Sequence, residues 1–375
     1  MKITLKKETL LKPLQTVIGV VERKHTMPIL SNILLHLHEG TLTLTATDLE
    51  IELIGKITDI ESHSGDGKMT LPGRKLFDIV RSLQDNALVT LSLGKNQKVT
   101  IESLKSKFTL SSFNSDEFPM VDSQLGEQHV MILEKDFLFL LKRTAFAMAH
   151  QDVRYFLNGM LLELDSQHLK VVATDGHRLA VSSLPLKSEV QLMQLILPRK
   201  AVLELLRLLS DREVQLTMTL GHTHVRFQMD QLTFTTKLLD GRYPDYHRVI
   251  PKESNHLVTI DQEAFKSALS RAAILSNEKF RGVRLQFSNH QLMISANNPE
   301  REEAQEELDI AYEGAAIDIG FNVGYLLDIL NVIDAQKIQF SLGSGNASAL
   351  IREHFETDAT PVSHQSLFVV MPVRI

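Results

Sequence analysis

The residues best suited to acid-base or metal chemistry are the histidines and carboxylates of three short segments. The segment ATDGHR places Asp175 beside His177 and Arg178, and HLH (36–38) and HTH (222–224) would each put two imidazoles on one face of a strand. None of them has a further carboxylate or histidine at the spacing that metal sites use. The chain also has no cysteine, phosphate-binding loop or nucleophile-elbow motif. We therefore expect no metal and no cofactor, and interpret DGHR as a turn or a recognition surface.

The elements that carry these residues recur about every 125 residues along the chain. Each copy opens with a strand and the start of a helix, and continues with a strand that ends in turn-forming residues and an amphipathic helix. The aligned positions are Asp48, Asp175 and Asn298 after the strand, Asp78, Glu204 and Asp328 in the helix, and Pro119, Pro244 and Pro372 near the end. We predict three repeated α+β domains, residues 1–126, 127–254 and 255–375, each with two helices packed on antiparallel sheets.

Composition and charge narrow the class of protein. The 43% of hydrophobic residues can form sizeable cores, and the absence of a signal peptide or an apolar membrane span predicts a cytoplasmic protein. A net charge of -6 at first argues against nucleic acid as a partner. However, the first two repeats are nearly neutral and the net negative charge lies in residues 255–375. The first two repeats could therefore still bind a polyanion.

Basic residues recur on one face of the amphipathic helices. Arg74 and Arg81 lie seven positions apart and share a helix face, and Lys200 and Arg207 repeat that spacing in the second copy. A solvated helix face would give the same pattern. The repetition nevertheless favours a cationic surface that binds phosphates without reading sequence.

Two loops hold further candidates for contact with a nucleic acid. One contains Lys24, and the equivalent loop of the second repeat contains Gln151, Arg154, Tyr155 and Phe156, which could stack on bases or hydrogen-bond to a strand. An ordinary loop with its aromatic rings in the core fits the same residues equally well.

The acidic run PEREEAQEE (299–307) is either a solvated edge or a surface that faces cations. The candidate cations are Lys75, Lys105 and Lys107 of the first repeat. Such pairing would favour head-to-tail contact between the first and third repeats of two chains.

Seven segments resemble those of the bacterial DNA sliding clamps, the beta subunits of DNA polymerase III. They are MAHQDVRYFLNGM, ATDGHRLAV, LPRK, DGRYPDYHRV, RAAILSNEKFRGVRL, NNPE and the terminal VVMPVRI. The resemblance extends over the whole chain and implies three clamp domains per chain, with two chains forming a closed six-domain ring. It also implies a non-catalytic role at the nucleoid, in which an ATP-dependent clamp loader places the ring around DNA and the ring tethers the replicative polymerase for processive synthesis.

The resemblance assigns residues to three surfaces. Expected to face double-stranded DNA, without sequence specificity, are Lys24, Arg74, Gln151, Tyr155, Phe156, Arg199 and Lys200. A pocket for peptide motifs of the replicative polymerase, the clamp loader, and repair and translesion polymerases is expected to comprise Leu157, Thr174, Gly176, His177, Arg178, Leu179, Pro244, Arg248, Val249, Phe280, Asn322, Tyr325, Ser348, Val370, Met371, Pro372, Val373 and Arg374. The homodimer interface is expected to comprise Ile274 and Leu275 against Phe108 and Leu110, with Glu303 and Glu306 opposite Lys75, Lys105 and Lys107.

Two departures from the clamp pattern refine these expectations. Phe156 stands where many clamps have a second tyrosine, so stacking without a hydroxyl contact is expected there, and segment 343–367 is longer than its counterpart. Two functions of other classes compete with the clamp: a hydrolase or lyase that uses Asp48, Asp175 and His177, and a protein-binding module without a DNA role.

Overall fold

The predicted repeat is visible in the architecture of the chain. A computed structural model describes residues 1–21, 27–121, 126, 128–186, 191–251, 256–343, 347–355 and 364–374. Within these ranges each repeat contains two α-helices and eight or nine strands, and the strands pair antiparallel throughout. No helix of the described ranges is both long enough and apolar enough to cross a membrane.

The elements follow the same order in all three repeats. The first repeat contains β1 (Lys2–Lys6), α1 (Lys7–Val17), β2 (Asn32–His38), β3 (Thr41–Thr47), β4 (Ile51–Ile57), β5 (Ser62–Ser64), β6 (Gly67–Pro72), α2 (Gly73–Ser82), β7 (Leu88–Leu93), β8 (Lys98–Ser103) and β9 (Ser106–Ser111). The second contains β10 (Gln128–Leu133), α3 (Glu134–Thr144), β11 (Gly159–Leu164), β12 (His168–Thr174), β13 (Arg178–Pro185), β14 (Met193–Pro198), α4 (Arg199–Leu208), β15 (Gln215–Leu220), β16 (His224–Met229) and β17 (Leu232–Lys237). The third contains β18 (His256–Asp261), α5 (Gln262–Ala272), β19 (Gly282–Ser288), β20 (Gln291–Asn297), β21 (Glu303–Asp309), β22 (Ile317–Asn322), α6 (Val323–Leu330), β23 (Lys337–Leu342), β24 (Ala349–His354) and β25 (Gln365–Val370).

Four sheets are distributed over two compact units. Unit 1, residues 1–135 and 207–238, holds a five-stranded sheet in the order β5-β1-β7-β8-β9 and an eight-stranded sheet in the order β10-β15-β16-β17-β4-β3-β2-β6. Unit 2, residues 136–206 and 239–375, holds an eight-stranded sheet, β14-β11-β12-β13-β25-β24-β23-β18, and a four-stranded sheet, β21-β20-β19-β22. Each eight-stranded sheet takes four strands from each of two repeats, so the compact units and the sequence repeats divide the chain differently.

The repeated amphipathic patterns correspond to α2, α4 and α6, as predicted. In α2 the side chains of Leu76 and Val80 are fully buried, whereas Arg74 and Arg81 are exposed on the other side of the helix. Strands β2 and β3 form a hairpin whose two turn residues, Glu39 and Gly40, both have the positive φ that a two-residue hairpin turn requires.

A buried polar side chain at the start of the first helix ties the two helices of each repeat together. The residues at this position are Lys7, Glu134 and Gln262, and each is almost completely buried. In the first repeat the Lys7 ammonium donates to the carbonyl oxygen of Leu83 at 2.6 Å and to the carboxylate of Asp85 at 2.7 Å, both just after α2. The bond satisfies a carbonyl at the end of α2 that has no partner within the helix.

The other two repeats make the same connection with different chemistry. The Glu134 carboxylate accepts from the backbone N–H of Ser210 at 2.6 Å and from the Arg212 guanidinium at 2.9 Å. The Gln262 amide donates to the carbonyl oxygen of Leu330 at 2.6 Å. The side chain that ties the two helices together is thus a cation in the first repeat, an anion in the second and a neutral amide in the third.

Candidate partner-binding pocket

The turn between β12 and β13 is built by short polar side chains. The Asp175 Oδ1 atom accepts the backbone N–H groups of His177 at 2.9 Å and Arg178 at 3.0 Å. Thr174 donates its hydroxyl to the carbonyl oxygen of Arg178, and Gly176 adopts φ +90°, which glycine tolerates better than other residues. The DGHR motif is therefore a turn, as the sequence predicted, and the Asp175 carboxylate serves as the acceptor for the backbone N–H groups of that turn.

The C-terminal segment lies directly against this turn. Strand β25 pairs with β13 so that Val370 is opposite Arg178, and the N–H of Met371 donates to the carbonyl oxygen of His177 at 2.9 Å. Farther along, Val373 donates to the carbonyl oxygen of Gly320 at 2.9 Å. The last strand thus brings the end of the third repeat to the turn of the second.

Two hollows open on the surface beside this turn and share Met371. The first has a volume of about 140 Å³ and is lined by Arg154, Leu157, Thr174, Gly176, His177, Arg178, Leu179, Pro244, Asp245, Tyr246, Val249, Val369 and Met371. The second, of about 240 Å³, is lined by Ser348, Met371, Pro372, Val373 and Arg374. Apolar walls with a few polar groups at the rim suit an extended peptide with apolar side chains.

Arg178 connects the two repeats beneath the first hollow. Its guanidinium donates to the carboxylates of Asp175 and Asp328 and to the carbonyl oxygen of Phe146. It also lies 4.5 Å from the centre of the Tyr325 ring, within the range of a cation–π interaction. Each of the three guanidinium nitrogens has a partner within the fold, so the position of the Arg178 side chain is fixed before any ligand binds.

Most of the predicted pocket residues lie together. Thirteen of them line one of the two hollows; the others are Arg248, Phe280, Asn322, Tyr325 and Val370. Among these, Phe280 is 66% exposed, Val370 is fully buried within β25, and Asn322 caps the N-terminus of α6. The Tyr325 ring stacks on His177 with 6.4 Å between the ring centres, and burial raises the pKa of its hydroxyl.

Four lining residues were missing from the predicted set: Arg154, Asp245, Tyr246 and Val369. Arg154 and Tyr246 occur inside the motifs HQDVRYFLNG and RYPDY, so the signal was present in the sequence. The side chain of Arg154 is fixed by two bonds to the Asp152 carboxylate, at 3.0 and 2.9 Å, and passes over Gly176. These bonds lower the pKa of Asp152 to about 2.

Comparison with known proteins identifies the family. Models of the N-terminal, central and C-terminal domains of the DNA polymerase III beta subunit match residues 1–122, 131–245 and 247–366. The chain is 47% identical to the beta sliding clamp of Pseudomonas putida and 43% identical to that of Escherichia coli K12, in each case over 100% of both chains. The crystal structure of the DNA polymerase III beta subunit from Pseudomonas aeruginosa matches with a TM-score of 0.95, 47% identity and full coverage of both chains. The chain belongs to the bacterial DNA sliding clamps.

Membership of the sliding clamps gives the chain its function. It is a processivity factor of DNA polymerase III without chemistry of its own, and its three clamp domains bind DNA and polymerase. The competing hypothesis of a hydrolase is wrong, and its residues explain why: Asp48 and Asp175 each accept two backbone N–H groups in equivalent turns. Within the described ranges no three metal-binding side chains lie close enough to hold an ion.

The residues expected to face DNA in a clamp differ in how freely they are presented. Lys24 lies outside the described residues. Arg74 donates a hydrogen bond to the carbonyl oxygen of Val21 at 3.0 Å, and Arg199 donates one to the carbonyl oxygen of Met148 at 3.3 Å. Each acceptor lies in the segment that follows the first helix of the same repeat. Both residues therefore also fix a loop.

The four other DNA candidates of the clamp lie in the second repeat. Gln151 is exposed with φ +58°, and Tyr155 is 52% exposed. Phe156 is partly buried and packs against the apolar cluster beneath the pocket, while Lys200 is half-buried. Tyr155 meets the Phe156 ring edge-on with 5.8 Å between the ring centres. The exposed tyrosine is therefore better placed than Phe156 to stack on a base.

Two of the predicted interface residues of the first repeat, Lys105 and Phe108, line a groove in unit 1. It has a volume of about 530 Å³ and is lined by Ser82, Leu83, Gln84, Ser103, Leu104, Lys105, Ser106 and Phe108. Leu110 is half-buried on β9, and Lys75 is exposed on α2. Lys107 forms an ion pair with Glu102 at 2.9 Å.

The predicted interface residues of the third repeat lie in unit 2. Ile274 is 76% exposed and Leu275 half-buried, both in a short 3-10 helix after α5. Glu303 is exposed, whereas Glu306 accepts two bonds from the Arg271 guanidinium, at 2.8 and 2.6 Å. Sequence reasoning missed this intrachain partner of Glu306.

Proposed function

We propose that two copies of this chain form a head-to-tail ring that encircles duplex DNA after loading by an ATP-dependent clamp loader. The observation that carries this proposal is the opposite charge of two edge strands among the described sheets, β9 in the first repeat and β21 in the third. Strand β9 ends the five-stranded sheet and pairs only with β8, and β21 ends the four-stranded sheet and pairs only with β20, among the strands described. Exposed edge strands invite pairing with another chain.

The two edges have opposite charge. Strand β21 contains Glu303, Glu306, Glu307 and Asp309 and no basic residue, whereas β9 contains Lys107 and follows Lys105. Two β21 edges would repel each other, as would two β9 edges, so charge favours pairing of unlike edges. That pairing places the third repeat of one chain against the first repeat of the other.

The groove beside β9 supplies a place for the apolar part of the contact. Ile274 and Leu275 of one chain would enter the groove of the other and pack against Phe108 and Leu110. Burying the exposed side chain of Ile274 stabilises the contact by about 1.5–3 kcal/mol. Because Glu306 already has Arg271 as a partner, we expect Glu303 to carry more of the attraction to Lys75, Lys105 and Lys107.

The two hollows at Met371 are proposed as the binding site for short apolar motifs of partner proteins. The partners are the replicative polymerase, the clamp loader, and repair and translesion polymerases. A sliding clamp from Pseudomonas aeruginosa that is 46% identical to this chain has been crystallised with griselimycin, and we propose that griselimycin binds here in the same pocket. The residues expected to touch DNA are those assigned above, with Tyr155 preferred to Phe156 for stacking.

Two further assignments belong to this proposal. We place the domain boundaries near residues 126 and 254; the matched family segments break at 122–131, which includes the first boundary, and at 245–247, a few residues before the second. We also propose a cytoplasmic protein that associates with the nucleoid during replication.

Retention on circular and linear DNA tests the ring. With a bacterial clamp loader and ATP, wild-type protein should remain on nicked circular DNA through gel filtration and leave the same DNA once it is linearised, because only a closed ring is held by topology. The double variant Ile274→Ala, Leu275→Ala should lose retention on the circle. Leu192→Ala is the matched control, since Leu192 is equally exposed, at 75%, but lies outside the proposed interface. Equal retention of wild type on both DNA forms would refute the ring and leave a module that binds DNA by charge.

A further inference from the structure

One wall of the proposed pocket belongs to no strand. The segment from Tyr243 to Val249 carries this wall and contains a short 3-10 helix, Tyr246–Arg248. Two tyrosine hydroxyls attach it to the sheet: Tyr243 accepts the backbone N–H of Thr174 at 3.1 Å, and Tyr246 donates to Glu163 Oε1 at 3.0 Å. The position of the wall therefore depends on these two bonds.

Glu163 occupies the centre of a polar row across three strands. It lies on β11, directly opposite Gln194 on β14 and Lys170 on β12. The Gln194 amide donates to Oε2 at 2.7 Å and the Lys170 ammonium to Oε1 at 3.2 Å, while Glu163 itself is only 7% exposed. Burial alone would raise the pKa of Glu163, but the bonds from Gln194, Tyr246 and Lys170 outweigh it and lower the pKa. The carboxylate is therefore charged at neutral pH and is a strong acceptor.

An apolar row lies beside this polar row on the same face of the sheet. Leu161 is two residues before Glu163 and is paired with Val172 and Ile196, and all three belong to the buried cluster beneath the pocket. The Tyr246 ring is part of the same cluster. Tyr246 therefore reaches from the apolar floor of the pocket to the Glu163 carboxylate.

We propose that Glu163 is a positioning residue for peptide binding, which holds the pocket wall at its working distance from the floor through the hydroxyl of Tyr246. This inference rests on the proposed function of the pocket and assigns a role to a side chain that does not line it. A wall held in place before binding lowers the ordering cost that a peptide must otherwise overcome.

Removal of one oxygen atom tests the role. Tyr246→Phe keeps the ring in the pocket and deletes only the hydroxyl, and Glu163→Gln removes the charge of the acceptor at nearly constant volume. Binding of griselimycin is measured by calorimetry for wild type, both single variants and the double variant. Ser182→Ala is the control, because Ser182 is fully buried in the same sheet and loses a comparable bond, to the hydroxyl of Ser366 at 2.9 Å. Unfolding temperatures of all variants are recorded alongside.

The affinities of the four variants decide the outcome. We expect Tyr246→Phe to weaken binding about tenfold in an otherwise wild-type chain and less than about twofold in the Glu163→Gln chain, since the acceptor is then already impaired. Ser182→Ala should lower the unfolding temperature without changing affinity. A Tyr246→Phe affinity within twofold of wild type, or a loss matched by Ser182→Ala, would overturn the positioning role and leave the pocket intact as a proposal. Failure of the wild-type chain to bind griselimycin would overturn both.

Discussion

The two junctions between repeats share one backbone design, and both hollows described above lie beside the junction in unit 2. In unit 1, β4 pairs with β17, and in unit 2, β13 pairs with β25. The turn before each junction strand is the same. Asp48 accepts the N–H groups of Glu50 and Ile51 at 2.9 and 2.7 Å, and Asp175 accepts those of His177 and Arg178, which are likewise two and three residues later. Even the threonine before the aspartate makes the same bond, from Thr47 to the carbonyl oxygen of Ile51 at 2.8 Å. The two turns therefore differ in their side chains and not in their backbone hydrogen bonds.

Three substitutions between the equivalent turns are decisive. Gly176 is replaced by Leu49, which has φ +77° and is 47% exposed. In place of Arg178, Ile51 provides no guanidinium to join neighbouring elements. The third replacement puts Glu52 where the pocket has Leu179, and its buried carboxylate accepts the N–H of Val121 at 3.0 Å.

The segment after the turn also differs. In unit 1 it contributes Phe118 to a small cluster with Ile29, Leu30 and Leu34, and Glu52 binds its end. In unit 2 the equivalent segment packs the rings of Tyr243 and Tyr246 into the cluster beneath the pocket, and their hydroxyls bond to Thr174 and Glu163 of the sheet. A phenol can both pack and hydrogen-bond, whereas phenylalanine can only pack. The crossing segment of unit 2 is therefore tied to the sheet by side-chain hydrogen bonds that a phenylalanine such as Phe118 cannot make.

Of the three replacements, the loss of the Arg178 guanidinium is expected to change the stability of the second junction most. Arg178→Ile installs the residue of the first junction and removes the guanidinium from Asp175 Oδ2, while Asp328, whose side chain is 46% exposed, can turn to solvent. We expect the local stability of β13 and β25 to fall by about 2–3 kcal/mol, measured by native-state hydrogen exchange. Arg248→Ile is the matched control: it breaks another i, i+3 Arg–Asp pair, but that arginine is 84% exposed, so a loss below about 1 kcal/mol is expected. Equal protection in wild type and Arg178→Ile would mean that the guanidinium does not distinguish the junctions.

Gly176 should control access to the pocket. In Gly176→Leu the new Cβ would lie 3.1 Å from the Arg154 guanidinium and the side chain would project at the first hollow. The fold should survive, since Leu49 occupies the same place in the equivalent turn. We expect griselimycin affinity to fall about 30-fold, equivalent to about 2 kcal/mol. The reciprocal variant Leu49→Gly should bind as wild type does, and undiminished binding by Gly176→Leu would separate the hollow from the ligand site.

The sequence could predict those features that depend on neighbouring residues. The helices α2, α4 and α6 follow from apolar side chains spaced for one buried face, and the turn at Asp175 follows from an aspartate that can accept nearby N–H groups. The clamp resemblance supplied most of the pocket, because its residues lie within contiguous motifs.

Features that depend on the register of distant segments could not be predicted. Tyr246 and Glu163 are 83 positions apart, and only the pairing of β11 with β12 and β14 brings the acceptor beneath the phenol. The helix ties at Lys7, Glu134 and Gln262 were hidden for another reason. Their side chains differ in charge, so the repeat comparison found no likeness, although all three occupy one position in the fold.

The smallest expected effect concerns Glu52, whose buried carboxyl in the first junction occupies the position that Leu179 has in the second. Burial raises the pKa of Glu52 above its ordinary value of 4.5, against smaller opposing effects of the Val121 N–H and Arg226. Well below pH 4.5 the carboxyl is protonated in the folded and unfolded chains alike, so its ionisation then has no effect on stability. As the pH rises above 4.5, the unfolded chain releases its proton first, and stability falls until the folded carboxyl also ionises. Glu52→Gln retains an acceptor for Val121 and should therefore be more stable than wild type at pH 7, with the gain shrinking toward pH 4.5. Unfolding midpoints across this range measure the difference; a gain that does not depend on pH would show that charge burial is not what Glu52 contributes to the first junction.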